Sequence, residues 1–258
     1  MLFDTHIHTR HSDDSTMAIE TAISRAAELG LGITITEHID LAHPEPDVAL
    51  DVEQYFLDYT KYRSDKVLLG IEVGMRAECL EDNRDIINNY SFDYVIGSIH
   101  FVDNIEIYQE SFYRSRTKFD AYSRYFEAML GCLKCYDFID SLGHIDYISR
   151  YARYEDKEIY YHEFSDRIDE ILKFAAQNDK AMEINTRRLT SPEAVARLLP
   201  IYKRFYELGG RMVTLGSDAH KPEAIGSRLD VAQDMAEACK LRVVYFKQRK
   251  PEWGEVAL

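Results

Sequence analysis

Residues 2–30 read LFDTHIHTRHSDDSTMAIETAISRAAELG, and the order of residue types in this stretch decides the fold. A short apolar run ends in two histidines, His6 and His8. A polar turn follows, and then apolar residues recur at helical spacing until Gly30, a residue that commonly stops a helix. The unit is a strand, a chemically loaded turn and a helix. It repeats along the chain. GITITEH (32–38) leads through a proline-containing loop to VEQYFLDYTKYRS, VLLGIEVGM (67–75) precedes LEDNRDIINNY, and YVIGSIHF (94–101) precedes a Tyr-rich helical stretch from about Ser115 to Tyr136. FIDSLGHID (138–146) leads to EIYYHEFSDRIDEILKFAAQN, AMEINT (181–186) to SPEAVARLLPIYKRFYELGG, and RMVTLGSDAH (211–220) to SRLDVAQDMAEACK; RVVYF follows. Strands that alternate with helices are joined in parallel by helical crossovers. Their apolar runs are nearly continuous, as in strands covered on both faces. Seven such pairs without a linker predict an α/β fold, a closed or nearly closed βα barrel, with residues 1–258 forming a single domain. The polar stretch from Asp103 to Arg116 departs from the pattern and is expected to form a lid or rim.

The bulk properties narrow the function. The chain carries a formal net charge of −14, which opposes the phosphate backbone that nucleic-acid binders neutralise with Lys and Arg, so no nucleic-acid partner is expected. No apolar run approaches the roughly 18 residues of a membrane helix, and no signal-peptide pattern is visible, so a cytoplasmic location is expected. Cys132 and Cys135 form a C-x-x-C with no second ligand pair nearby and read as thiols on a helix rather than a zinc or redox site.

The residues at the strand ends carry the chemistry. They are His6 and His8, Glu37 and His38, Glu72, His100, His144 and Asp146, Glu183 and Asn185, and Asp218 and His220. In a parallel barrel the C-terminal strand ends lie on one face, where active sites form. The pattern absorbs six of the nine histidines; His11, His43 and His162 stand outside it. His6 and His8, two apart on a strand, face the same way and can share an ion. Imidazole with carboxylate suits zinc, iron or manganese, and the donors exceed what one tetrahedral ion uses. Two or three ions with Glu72 bridging accommodate them, with Glu37, Asp146 and Asp4 as candidate groups that orient imidazoles.

The motifs DTHIHTRHSDDS, ITITEH, GIEVG, IGSIHF, GHIDY, EINT and LGSDAH resemble, in order, those of the PHP (polymerase and histidinol phosphatase) family, and nearest its histidinol-phosphatase branch. The resemblance implies a distorted (βα)7, TIM-like barrel with a trinuclear site. It implies His6, His8, Glu72 and Asp218 on the first metal, Glu72, His100 and His144 on the second, and Asp13, His38 and His220 on the third. In that branch EINT is commonly followed by Ser-Gly-Leu and a basic residue. Here EINTRRLTS brings the arginines forward, so Arg187 or Arg188, or else Arg150 and Arg153 after GHIDY, are the candidates to hold phosphate.

A metal cluster with arginines nearby suits hydrolysis of a phosphate monoester, since bound ions lower the pKa of water and share phosphoryl charge. Neither a Cys-x5-Arg nor an Asp-x-Asp nucleophile motif is present, so direct attack by a metal-bridging hydroxide is expected. Asp13, Asp14 and His43 are the candidate proton donors to the leaving group, with His43 preferred. The expected substrate is L-histidinol phosphate in histidine biosynthesis, its cationic end facing an acidic rim to which Glu183 or Glu106 contributes. Tyr108, Tyr113, Tyr147 and Tyr151 are expected in top-face loops. The competing readings are a family phosphoesterase acting on another small phosphate or nucleotide, and a metal-binding relative without turnover.

Overall fold

The computed structural model describes residues 1–44 and 50–253. Eight parallel strands form one curled sheet in the order β1 (Phe3–Ile7), β2 (Gly32–Ile39), β3 (Val67–Gly74), β4 (Tyr94–Ser98), β7 (Ser141–Leu142), β8 (Ala181–Asn185), β9 (Met212–Gly216) and β10 (Arg242–Val243). Between β4 and β7 lies a small antiparallel pair, β5 (Phe101–Val102) and β6 (Ile105–Glu106), and a second pair, β11 (Tyr245–Lys247) and β12 (Lys250–Glu252), ends the described chain. The sheet curls into a TIM-like barrel. Its first and last site-bearing strands meet at the top, where Ile7 bridges Ala219 and the His8 amide donates to the Ala219 carbonyl at 2.9 Å.

The helices cover the outside. They are α1 (Ile19–Leu29), α2 (Val52–Tyr59), α3 (Leu80–Asn89), α4 (Glu110–Tyr113), α5 (Lys118–Cys135), α6 (Tyr147–Tyr151), α7 (Ser165–Gln177), α8 (Pro192–Glu207) and α9 (Leu229–Ala238). Local signals set their ends. Gly30 adopts φ +68° and closes α1, Thr117 and Asp120 form a reciprocal capping box on α5, and Ser191 caps α8 with Pro192 in its first turn. None of the described helices is long and apolar enough to cross a membrane.

Three stretches depart from the sequence reading. Asp103 and Asn104 both hold positive φ (53° and 60°), which makes a two-residue turn of the mirror-image type, so the expected rim is an ordered β5–β6 hairpin followed by α4. The helix expected from Glu158 begins only at Ser165, after a short 3-10 turn over Tyr161–Glu163. β7 keeps only two residues. The His144 amide beyond it donates to Glu183 Oε2 at 2.8 Å instead of continuing the ladder, so a site carboxylate replaces a strand partner.

The bottom of the barrel is plugged. Phe246 stacks on Tyr94 at 5.4 Å between ring centres, and both pack with Ile96, Ala181 and Val244. Above this plug the Tyr94 hydroxyl and Ser141 Oγ lie 3.1 and 3.3 Å from Thr214 Oγ1, a layer of hydroxyls between the apolar floor and the charged top.

Candidate metal centre

Glu72 is the hub of the top face. It is fully buried in the middle of β3, in register with His38 on β2. Four imidazole nitrogens besides that of His8 approach its carboxylate: His38 Nδ1 at 2.8 Å, His144 Nε2 at 2.8 Å, His6 Nε2 at 3.2 Å and His100 Nε2 at 3.3 Å. Asp218, just past β9, faces His8 Nε2 at 3.5 Å. The donor atoms fall into four overlapping sets, each within 4.8 Å: His6, His8 and Asp218; His6, Glu72 and His144; His38, Glu72 and His100; His8, His38 and His220.

These donors fit metal ions by a direct criterion. His6 Nε2, His8 Nε2, His38 Nδ1, His100 Nε2 and Glu72 Oε2 are buried without a hydrogen bond of acceptable geometry, although they stand close together. Buried polar atoms are almost always satisfied, so five orphans aimed at one volume mark a place for cations. Sharing of Glu72 between two sets suits two or three divalent ions better than one.

Outer partners fix the imidazoles. His6 Nδ1 lies 2.6 Å from Glu183, His100 Nδ1 3.0 Å from Asp40, His8 Nδ1 3.2 Å from Ser12 Oγ and His220 Nδ1 2.9 Å from the Asp218 carbonyl. With Nδ1 so engaged, each ring presents Nε2 to an ion, the arrangement that sets tautomer and basicity in metal sites. Of the orienting groups read from the sequence, none acts on an imidazole directly. Glu37 takes hydrogen bonds from Ser12 Oγ (2.6 Å) and the Thr9 amide, Asp4 from the Ser217 and Gly226 amides, and Asp146 meets Arg188. Asp40 and Glu183 do the orienting. Glu183 is fully buried beneath the site and is no part of a rim.

The charges answer one another. Burial alone would raise the Glu72 carboxyl, but His6, His38 and His100 hold it well below its ordinary value. Burial would lower His6, yet Glu183 and Glu72 raise it well above the usual imidazole range, while burial and the neighbouring His38 and His220 push His8 well below it. Asp218 is held low against burial by His6, His220, Arg187 and Arg150.

Asp13 and Asp14 are both exposed and neither belongs to a donor set, but it is Asp14 that approaches the set of His8, His38 and His220: its Oδ2 lies 2.8 Å from His220 Nε2 and its Oδ1 lies 3.7 Å from His38 Nε2. The turn between His8 and Met17 explains this. Ser12 Oγ is tied to Glu37 and to the His38 amide, and Ser15 Oγ donates to the carbonyls of His8 and His220, which draws Asp14 against His220.

The arginines divide into two pairs. Arg150 Nη1 lies 3.1 Å from Asp218 Oδ2, and Arg187 Nη1 lies 3.3 Å from Asp218 Oδ1 and 3.4 Å from His220 Nδ1. Arg188 turns away to Asp146 (3.0 Å) and Glu158 (2.7 Å). Asn185 caps the 3-10 turn Thr186–Arg188 by accepting from the Arg187 amide, and successive residues of such a turn cannot face the same way. Arg153 is exposed and donates to the carbonyls of Tyr151 and Tyr108. His43 sits at the rim with Nε2 3.6 Å from Glu106 on β6 and its ring edge-on to Phe101. Tyr147 packs over His144 and His100 at 4.6 and 5.1 Å, and Tyr151 lies beneath the Arg150 guanidinium. Tyr113 is buried in the core, and Tyr108 is exposed. His11 lies outside the cluster, 3.2 Å from Asp58.

A parallel barrel whose strand ends gather imidazoles and carboxylates around shared ion positions, with arginines alongside, defines a polynuclear metal-dependent phosphatase. The chain belongs to the PHP domain family, whose profile matches residues 4–187. It is 52% identical over 250 residues to a probable histidinol-phosphatase of Clostridium acetobutylicum, covering 96% of this chain and 98% of that one. It is 33% identical to the histidinol-phosphatase of Lactococcus lactis over 84% of this chain and 83% of that one. The crystal structure of the Lactococcus lactis histidinol phosphate phosphatase, complexed with zinc, L-histidinol and phosphate, superposes with a TM-score of 0.90 at 30% identity and covers 98% of this chain and 99% of that one.

Proposed function

We propose that this protein hydrolyses L-histidinol phosphate to L-histidinol and inorganic phosphate, as a step of histidine biosynthesis in the cytoplasm, with residues 1–258 acting as one domain. The observation that carries the reading is the meeting of Arg150 and Arg187 on Asp218, at the edge of the donor sets built on His6, His8, His38 and His220. Two cations beside a metal centre suit a phosphate dianion, and the relatives that match almost the whole chain bear the same activity in their names. Bound ions held by His6, His8, Asp14, His38, Glu72, His100, His144, Asp218 and His220 would activate water and share the charge of the phosphoryl oxygens.

The chain's own residues supply the rest. Arg150 and Arg187 bind and orient the phosphate group, each still tethered to Asp218. The leaving alkoxide requires a proton, and His43 is the donor, held by Glu106 on the β5–β6 hairpin. Asp14 is unsuited to that task. Burial would raise its carboxyl, but His220 and His38 hold it well below the usual carboxylate range. Arg188 and Arg153, committed elsewhere, shape the walls. The cationic end of the substrate lies toward Glu106 and Asp40, and no nucleic-acid partner is involved.

The test is phosphate release from L-histidinol phosphate by protein purified with its metals. Sugar, nucleotide and amino-alcohol phosphates serve as comparison, Asp218→Asn as control, and metal content is measured on the same sample. A strong preference for histidinol phosphate that disappears in the variant is expected. Equal rates on other monoesters would discard the substrate and the pathway but keep the chemistry; no release by metal-loaded protein would discard both.

A further inference from the structure

Beside the metal centre, on the side of α9, a cavity of about 260 Å³ is lined by Arg187, Asp218 and His220 at its inner end and by Lys221, Ser227 and Arg228 farther out. Its charge is unlike that of the whole protein. The chain has 45 acidic and 31 basic side chains, and most of its arginines are paired with carboxylates. At its inner end Arg187 shares the carboxylate of Asp218 with Arg150, which stands outside the lining. Lys221 and Arg228 are exposed, and among the described residues neither has a carboxylate partner; Arg228 reaches only Ser227 Oγ at 3.3 Å. Lys221 and Arg228 thus line the outer part of a cavity whose inner end reaches Arg187, Asp218 and His220 beside the donor sets. Arg228 also holds φ +56°, a conformation that non-glycine residues seldom adopt, at the start of a helix that has no side-chain cap there.

From this arrangement we infer that Lys221 and Arg228 form an outer phosphate subsite, which receives a phosphate dianion before it passes to Arg187 and Arg150 at the metal centre and retains inorganic phosphate as it leaves. The ligand chemistry is the same for both sources: a compact dianion with several acceptor oxygens, for which lysine is a point charge and arginine a fork of donors. In a strongly acidic protein a local positive funnel matters for encounter, because the surrounding field otherwise repels the substrate's phosphate. Ser227 belongs to the same wall: its carbonyl accepts from Thr186 Oγ1 at 2.6 Å, which ties the outer subsite to the turn that carries Arg187. The inference rests on the phosphatase reading for the substrate but not for free phosphate.

The experiment compares the metal-loaded protein with the double variant Lys221→Gln/Arg228→Gln and the charge-keeping variant Lys221→Arg/Arg228→Lys. Inorganic phosphate binding is followed by titration calorimetry, and kcat and kcat/KM for L-histidinol phosphate at low and high salt. The Gln variant is expected to bind phosphate and to capture substrate about threefold to tenfold more weakly at low salt, with kcat within about twofold and the salt dependence of kcat/KM flattened. The charge-keeping variant is expected to behave as the parent, which a merely structural role would not produce. Weaker phosphate binding alone assigns the subsite to the product, and lower kcat/KM alone assigns it to the incoming substrate. Unchanged phosphate binding and unchanged kcat/KM in the Gln variant overturn the inference. Absence of turnover on histidinol phosphate in the parent defeats the functional reading instead and leaves the calorimetric result to decide the subsite.

Discussion

The two ends of the barrel are built from one sheet to opposite rules. At the bottom, Tyr94, Ile96, Ala181, Val244 and Phe246 fill the interior with apolar surface. At the top, the C-terminal ends of β3, β4, β8 and β9 present Glu72, His100, Glu183 and Asp218, all buried, with ring nitrogens and a carboxylate oxygen left unsatisfied. The floor is complete in itself; the top is complete only with cations. In α/β barrels the bottom secures stability and the top carries chemistry, and here the hydroxyl layer of Tyr94, Ser141 and Thr214 marks the boundary. The difference teaches that the top face depends on the floor: an assembly of imidazoles with ring centres 4.0 Å (His8 and His38) and 4.3 Å (His8 and His220) apart needs a rigid scaffold below it.

Two substitutions would break that division if it is wrong. Glu72→Gln keeps the shape of the hub and removes its charge. At least one ion per chain should be lost, and phosphate release should fall on the order of 10³-fold, because losing a bound cation costs at least as much as losing one preorganised donor. Metal analysis and rate measurement on one sample decide it, and full metal content with near-normal turnover would show that Glu72 is not the hub. Phe246→Ala addresses the floor. It removes a ring that is 4% exposed, and a loss of about 3–5 kcal/mol in unfolding free energy is expected from the lost burial and the cavity left behind. Folded protein should keep its metals and its kcat. A tenfold fall in kcat without loss of stability would mean that the floor takes part in the chemistry.

The same contrast explains what could be read from the sequence. The strand–helix recurrence and the histidines at strand ends are periodic signals, so the barrel and the gathering of His6, His8, His38, His100, His144 and His220 were legible. Glu72 and Asp218 followed because they occupy the same place in their units. Asp13 and Asp14 could not be told apart, since both lie in one polar turn and the choice is made by Ser12 and Ser15 hydroxyls bonded to distant strands. Arg187 and Arg188 are adjacent, and the Asn185-capped turn alone decides which faces Asp218. The sequence carries a signal for Asp40 too: it stands two residues after His38, where strand periodicity puts both on one face. The chemistry of Glu183 is that of a cation binder and suggests a rim, whereas its depth in the barrel is a tertiary fact.

The smallest effect sharpens the comparison by separating the empty top from the loaded one. In protein stripped of metal, burial would lower His100, but Asp40 and then Glu72 raise it to about 10, and His6 and His38 move the same way. A histidine whose folded pKa lies above its unfolded value of about 6.5 adds stability that is fully present below pH 6.5 and is lost as pH rises toward the folded value. His8, shifted downward, opposes folding only where it would be protonated in the unfolded chain, and so is silent above that pH. Chelated protein should therefore melt a few degrees lower at pH 9 than at pH 7, at about 2–4 °C per kcal/mol for a chain of this size. Metal-loaded protein should show the opposite or no trend over that range, because ions bind neutral imidazoles and gain affinity as protons leave. Asp40→Asn should flatten the slope of the chelated form, since it removes the carboxylate that contributes most to His100. Parallel melting curves for chelated and loaded protein across this pH range would mean that the top face does not depend on cations for its balance of charge, and that the contrast with the floor is one of polarity alone.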